Sequence, residues 1–134
     1  MSATFVDTNV LLRHLTGEPP DQARRATRLL ADAAPGSLRL PDLIVAEMVY
    51  VLESHYRVER TALAGILRAV LGSPALTVSD RPLLIRALEH YELDRLGFPD
   101  AYLVACVEAE RDGTVVTFDR GIHRVAAGLS REPT

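Results

Sequence analysis

Asp7, Glu47, Asp100 and Asp119 are carboxylates set against apolar sequence. Asp7 ends the run Thr4-Phe5-Val6, and Asp119 follows Val115-Val116-Thr117-Phe118. Glu47 interrupts Leu43-Ile44-Val45-Ala46 and Met48-Val49, and Asp100 opens Ala101 through Val107. At helical spacing Glu47 shares a face with Leu43, Ile44, Met48 and Val51, which is expected to point inward. A carboxylate withdrawn from water is costly unless it is paired or binds a metal. Carboxylates meeting within about 4 Å repel by about 4 kcal/mol per pair at an effective dielectric near 20. A proton or a cation must then relieve them. No cysteine or histidine cluster accompanies these acids, so the donor set is all oxygen and favours Mg²⁺ or Mn²⁺ over zinc. The chemistry such a site supports is hydrolysis at phosphorus. Each acid also has a local role open to it. Asp7, Asp100 and Asp119 are good helix or turn caps, and Glu47 can be solvated near a helix end.

The elements that must position these acids alternate between strand and helix. Strands are expected at Thr4–Val6, Leu38–Leu40, Leu76–Val78 and Thr114–Phe118. Helices are expected at about 10–15, 21–33, 43–55, 60–71, 80–93, from Asp100 to Gly113, and at 122–126. Thr16-Gly17, Pro19-Pro20, Pro35-Gly36, Gly72-Ser73-Pro74 and Gly97-Phe98-Pro99 separate them. Asp42 and Asp80 are expected to cap the helices that follow them. The alternation predicts an α/β domain with a parallel sheet covered by helices. Ligands of such sheets bind beyond the carboxyl ends of the strands. Asp7 and Asp119 would sit at that edge, and the Asp100 helix would start there. One domain is expected over 1–134, with its core at about 2–128 and a polar tail after it.

Composition narrows the function classes. The 134 residues carry a net charge of −3, which excludes a protein that binds polyanions in general by acting as a polycation. All 15 basic residues are arginine, so no catalytic lysine is available, and arginine suits planar phosphate contacts. Cys106 is the one cysteine, which excludes an internal disulfide and a cysteine-based zinc cluster. It is expected as a small core residue. No secretory leader or membrane span is read, and a reducing cytoplasm is the expected setting. Aromatic residues make up 5%, too few for extensive base stacking. Glu53, Glu59, Glu89, Glu92, Glu108, Glu110 and Asp112 read as ordinary solvated-face charges.

Four segments resemble the motifs of PIN-domain nucleases. They are Val6-Asp7-Thr8-Asn9-Val10-Leu11-Leu12, Val45-Ala46-Glu47-Met48-Val49-Tyr50-Val51-Leu52-Glu53, Phe98-Pro99-Asp100-Ala101-Tyr102-Leu103-Val104-Ala105, and Val116-Thr117-Phe118-Asp119-Arg120. Each alone is weak; their order and the chain length most resemble the VapC-type toxins of type II toxin–antitoxin pairs. The resemblance implies a three-layer PIN-like fold with a short, mostly parallel β-sheet flanked by helices. It implies a Mg²⁺- (or Mn²⁺-) dependent endoribonuclease that cuts tRNA, rRNA or mRNA. It implies a cognate antitoxin, VapB-like or a similar small DNA-binding protein, and a homodimer. By position, Asp7, Glu47, Asp100 and Asp119 are the acidic, metal-binding and catalytic set. Thr8 or Thr117 would orient a water or carboxylate, and Asn9 would fix the turn after the strand. Arg13, Arg95, Arg120 and Arg124 are candidate RNA contacts by nearness in sequence. The apolar helices around Leu43–Leu52 and Leu63–Leu71 could leave a groove for an antitoxin segment. Some relatives carry a further acid where this chain has Gly121, which bears on a second metal. Pro99 replaces a small residue usual before the third-motif Asp and suits a first helical turn.

Rival classes fit less well. An aspartyl-phosphate phosphatase would want an Asp two places after Asp7, where Asn9 stands. A receiver domain would want a lysine. A dinucleotide-binding domain would want a glycine-rich turn after the first strand. The rival outside enzymology is a degenerate PIN-like module that binds RNA or protein without cutting.

Overall fold

Proline and glycine punctuate the chain as the sequence predicts, and each strand between them is only two residues long. The structure is a computed structural model and describes residues 2–134. Strand β1 (Thr4–Phe5) pairs in parallel with β2 (Leu38–Arg39), and β2 with β3 (Leu76–Thr77). Thr4 lies opposite Leu38 and Leu38 opposite Leu76, so one row of the ladder points inward at β2 and β3, where both leucines are buried. Strand β4 (Val115–Val116) pairs in parallel with β5 (Ser130–Arg131). The strands thus form two hydrogen-bonded sets, β1-β2-β3 and β4-β5. Strand β5 falls in the stretch expected as a polar tail; a two-residue Ser-Arg strand carries no apolar alternation to announce it.

Seven helices flank the strands: α1 (Thr8–Thr16), α2 (Pro20–Asp32), α3 (Asp42–Ser54), α4 (Arg60–Leu71), α5 (Arg81–Leu93), α6 (Phe98–Ala109) and α7 (Arg120–Val125). This is the three-layer α/β architecture expected. No helix among the described residues is long and apolar enough to cross a membrane. Val45, Met48, Leu63, Leu67, Leu84, Leu88 and Val104 are fully buried in one core. Each such side chain contributes about 1.5–3 kcal/mol of transfer free energy.

Helix ends follow their chemistry with two exceptions. Asp80 caps α5 by accepting from the Leu83 N–H at 3.1 Å, and Gly17 ends α1 in the left-handed region at φ 76°. Asp42, expected as a cap, is instead the first residue of α3. Its carboxylate accepts from the Tyr102 hydroxyl and, at 3.4 Å, from the Ser79 hydroxyl. Gly97-Phe98-Pro99, expected as a turn, begins α6 itself, with Gly97 as N-cap. Proline fits there because the first turn has no intrahelical acceptor for its missing N–H.

Several acids expected as idle surface charges hold elements together. Glu59 caps α4 by accepting from the Thr61 and Ala62 N–H groups at 3.0 and 2.9 Å. Glu53 accepts from the buried Tyr91 hydroxyl at 2.7 Å, joining α3 to α5. Glu92 pairs with Arg68 at 2.7 Å, and Glu89 with Arg86 at 3.2 Å. His90, 2% exposed, lies between two carboxylates: Nδ1 is 2.6 Å from Asp94 and Nε2 is 2.8 Å from Glu108. Glu108 also takes Arg86 at 2.9 and 3.1 Å, fastening α5 to α6. Arg60 donates to the carbonyls of Tyr91 and Leu96 at 2.5 and 2.6 Å, with its guanidinium over the Tyr91 ring. That clamp holds the α5–α6 connection, which delivers Asp100.

Candidate active site

Asp7, Asp100 and Asp119 are presented by helix starts, as expected, and Glu47 by the body of α3, but the acids are less buried than expected. Asp7, Glu47 and Asp119 are solvent-exposed, and Asp100 is partly buried. The reading of Glu47 as inward-facing is therefore corrected. The core face of α3 is Val45, Met48, Val49 and Leu52, while Leu43 and Tyr50, in line with Glu47, are exposed. Apolar residues on both faces of α3 hid which face is buried.

Asp7 follows β1 in extended backbone (φ −82°, ψ 155°) and caps α1, accepting from the Thr8 N–H at 2.8 Å through one oxygen. Thr8 is 3% exposed, and its hydroxyl donates to Glu47 Oε2 at 2.8 Å. This bond spans 39 residues and fixes the α3 carboxylate beside the start of α1. The hydroxyl role expected of Thr8 is thus exerted on Glu47. Thr117 acts on its own loop, where its hydroxyl accepts from the Asp119 N–H at 2.9 Å. Asn9, expected to fix the turn after β1, is in the first turn of α1 and exposed.

Asp100 sits in the first turn of α6, and Asp119 caps α7 by accepting from the Ile122 N–H at 2.9 Å. Burial pushes the Asp100 carboxyl above the usual range, and the negative charge of Asp119 adds to the shift. Among the described residues no arginine or histidine side chain pairs with either carboxylate. Gly121 stands beside them. A Cβ there would lie 3.1 Å from Asp119 Oδ1 and 3.2 Å from Leu96 Cδ2. A further acid at 121 would press on the Asp119 carboxylate itself.

The acids thus form two groups, Asp7-Thr8-Glu47 and Asp100-Asp119. Among the described residues no three His, Cys, Asp or Glu side chains are grouped closely enough to hold a metal ion. The donors are nonetheless all hard oxygens, which suits magnesium or manganese and not zinc. Cys106, expected in the core, is half-buried, and burial raises its thiol pKa. Removing the charge of Asp119 while keeping its cap should relieve the repulsion. Asp119→Asn is expected to stabilise the metal-free protein slightly, by no more than about 1 kcal/mol given solvent screening. Urea unfolding in chelator checks this; a clear loss of stability would show that the two charges do not strain each other.

The candidate arginines differ in setting. Arg13 donates to Gln22 at 3.0 Å and, with Asn9 and Arg25, lines a groove between α1 and α2 of about 450 Å³. Arg25, a second guanidinium in that groove, was not anticipated, since nothing in its local sequence ties it to Asp7. Arg124 is engaged with the Asp94 carbonyl at 3.0 Å. Arg95 (φ 59°) and Arg120 are exposed.

The chain is 27% identical over 120 residues to the VapC ribonuclease of Aquifex aeolicus (strain VF5), covering 87% of each chain. The model of the PIN domain matches residues 4–128, a span that contains all four acids. By that match the chain belongs to the PIN domain family.

Proposed function

We propose that the protein is a magnesium- or manganese-dependent endoribonuclease toxin that hydrolyses RNA phosphodiester bonds and is neutralised by a cognate antitoxin. The observation that carries this reading is the pairing of Asp100 and Asp119, two carboxylates at helix starts; burial first, and then the Asp119 charge, raises the Asp100 carboxyl. The name of the Aquifex relative, a VapC ribonuclease, supports RNA as substrate.

In this reading Asp7 and Asp100 would hold the main cation, directly or through water. Glu47, oriented by the Thr8 hydroxyl, and Asp119 would complete its shell or position the attacking water. When bound, a hard divalent cation acidifies water and stabilises the leaving oxygen. Arg13 and Arg25 draw the RNA backbone toward the acids by charge. Transfer, ribosomal and messenger RNA are all substrates compatible with it, and a homodimer is the proposed assembly. The antitoxin, a small DNA-binding protein, would dock on apolar surface near α3 and α4 and reach the acids with an arginine. The cytoplasm is the proposed setting.

The division of the acids into two groups, Asp7 with Glu47 and Asp100 with Asp119, favours a second reading, a degenerate module that binds without cutting. One experiment separates them. Single-stranded and stem-loop RNA should be cut in magnesium or manganese, and chelator should stop the cutting. RNA bound but left intact in either metal would sink the nuclease and leave the module.

A further inference from the structure

Beside the acids, the strands β1 to β3 turn an unusual row of side chains to solvent. Phe5 is 61% exposed, and its register partners Arg39 and Thr77 are exposed beside it. A phenylalanine on a strand interior is expected to pack under a helix. Here it stands in the open, with the Arg39 guanidinium over its ring at 5.9 Å. Among the described residues Arg39 has no hydrogen bond or ion pair with any other side chain. The row opens into a groove of about 410 Å³ whose walls include Leu40, Pro41 and Ser79.

Phe5, in the wall of this groove, stands two residues before Asp7. The Val6 N–H continues the ladder by donating to the Arg39 carbonyl at 3.0 Å, and Val6 is buried. Asp7 stays extended, so Phe5 and Asp7 fall on the same side of the strand. A polymer with one phosphate at Asp7 therefore has its neighbouring nucleotide within reach of Phe5. The chemistry of the row suits an unpaired nucleotide. The ring offers a stacking face that any base can use. Arg39 brings an unneutralised charge for the adjoining phosphate. The Thr77 hydroxyl is donated to the Gly36 carbonyl at 2.7 Å, which leaves its lone pairs to accept from a base amino group. Base edges and stacking, not duplex grooves, are how unpaired RNA is read.

We infer that Phe5 and Arg39 form a nucleobase subsite that holds the unpaired nucleotide next to the scissile phosphate and contributes to choosing the cut site. The inference rests on the ribonuclease reading above. It assigns one stacking platform, which agrees with the small aromatic content.

The test uses the full chain and a short single-stranded RNA that it cuts, with a matched RNA lacking the base next to the cut. Binding is read by fluorescence anisotropy in chelator, and cleavage positions by end sequencing in magnesium. Phe5→Ala should weaken binding of the intact RNA about 10-fold, within the roughly 1–3 kcal/mol that one stacked base supplies. It should leave binding of the base-less RNA unchanged and spread the cut positions. Phe5→Tyr should restore both readouts, and Arg39→Gln should weaken binding with a shallower salt dependence. Equal loss on both RNAs, or no loss with unchanged cut positions, would overturn the subsite while wild-type cleavage keeps the ribonuclease reading alive. A change in sedimentation with RNA binding intact would also overturn it, making the row a contact between copies. Wild type that neither binds nor cuts RNA in magnesium or manganese removes the ribonuclease reading and the subsite together.

Discussion

Asp7→Asn is expected to lower magnesium-dependent RNA cleavage by more than about 100-fold and to leave the protein folded. Loss of a residue that merely supports a metal ligand already costs roughly 10- to 100-fold, and a ligand should cost more. The fold should survive because Asn can still accept from the Thr8 N–H, the one hydrogen bond the Asp7 side chain makes among the described residues. Asp7 is also exposed, and substitutions at such positions change stability by about 0.5 kcal/mol or less. Asp100→Asn should behave alike, and even gain stability, because burial and Asp119 both disfavour its charge. Thr8→Val should cost less activity, since it removes only the hydroxyl that orients Glu47. Cleavage rates beside circular dichroism melts of each variant check this order. Full cleavage by a folded Asp7→Asn protein would remove that residue from the site.

The largest effect on stability is expected at His90, far from any proposed chemistry. Two acceptors face its two ring nitrogens, and only the imidazolium form satisfies both. His90→Ala removes a buried ring and both bonds, leaving a cavity between α5 and α6. The expected loss is about 2–4 kcal/mol, or roughly 5–15 °C in melting temperature. The same cluster predicts how stability depends on pH. Arg86, then the hydrogen bond from His90, hold the Glu108 carboxyl below the usual carboxylate range. A carboxyl with a lowered folded pKa stabilises above its unfolded value, about 4.3. That contribution fades as pH falls through the lowered folded value. Urea midpoints from pH 7 to pH 3 should fall more steeply for the wild type than for Glu108→Gln. Parallel curves would show that the Glu108 charge adds nothing to stability.

Much of the fold is legible because helix ends carry their own chemistry. Pro20, Asp80 and Gly17 mark boundaries through fixed φ, a side-chain acceptor and a left-handed backbone, all local properties. What escapes is set at a distance. Nothing local distinguishes Glu108 from an idle surface charge; its partner His90 lies 18 residues away. Glu47 was read correctly as unusual and wrongly as inward, because Leu43 and Tyr50 extend the apolar pattern onto an exposed face of α3. The acidic motifs announce themselves one by one, yet the Thr8–Glu47 bond and the Asp100–Asp119 repulsion belong to the packing of α1 on α3 and α6 on α7. Strand β5 carries no pattern, since it is an edge ladder of two polar residues.

The shortness of the strands divides the four acids by footing. Asp7 and Asp119 hang from ladders two residues long, with few backbone bonds to break before they open. Glu47 and Asp100 ride on helices of 13 and 12 residues seated in the core. Local openings that never approach global unfolding can therefore loosen the first two and spare the second two. One half of the site can adapt its reach to an incoming chain while the other keeps its place, an amide-exchange gradient that runs within each of the two acidic groups.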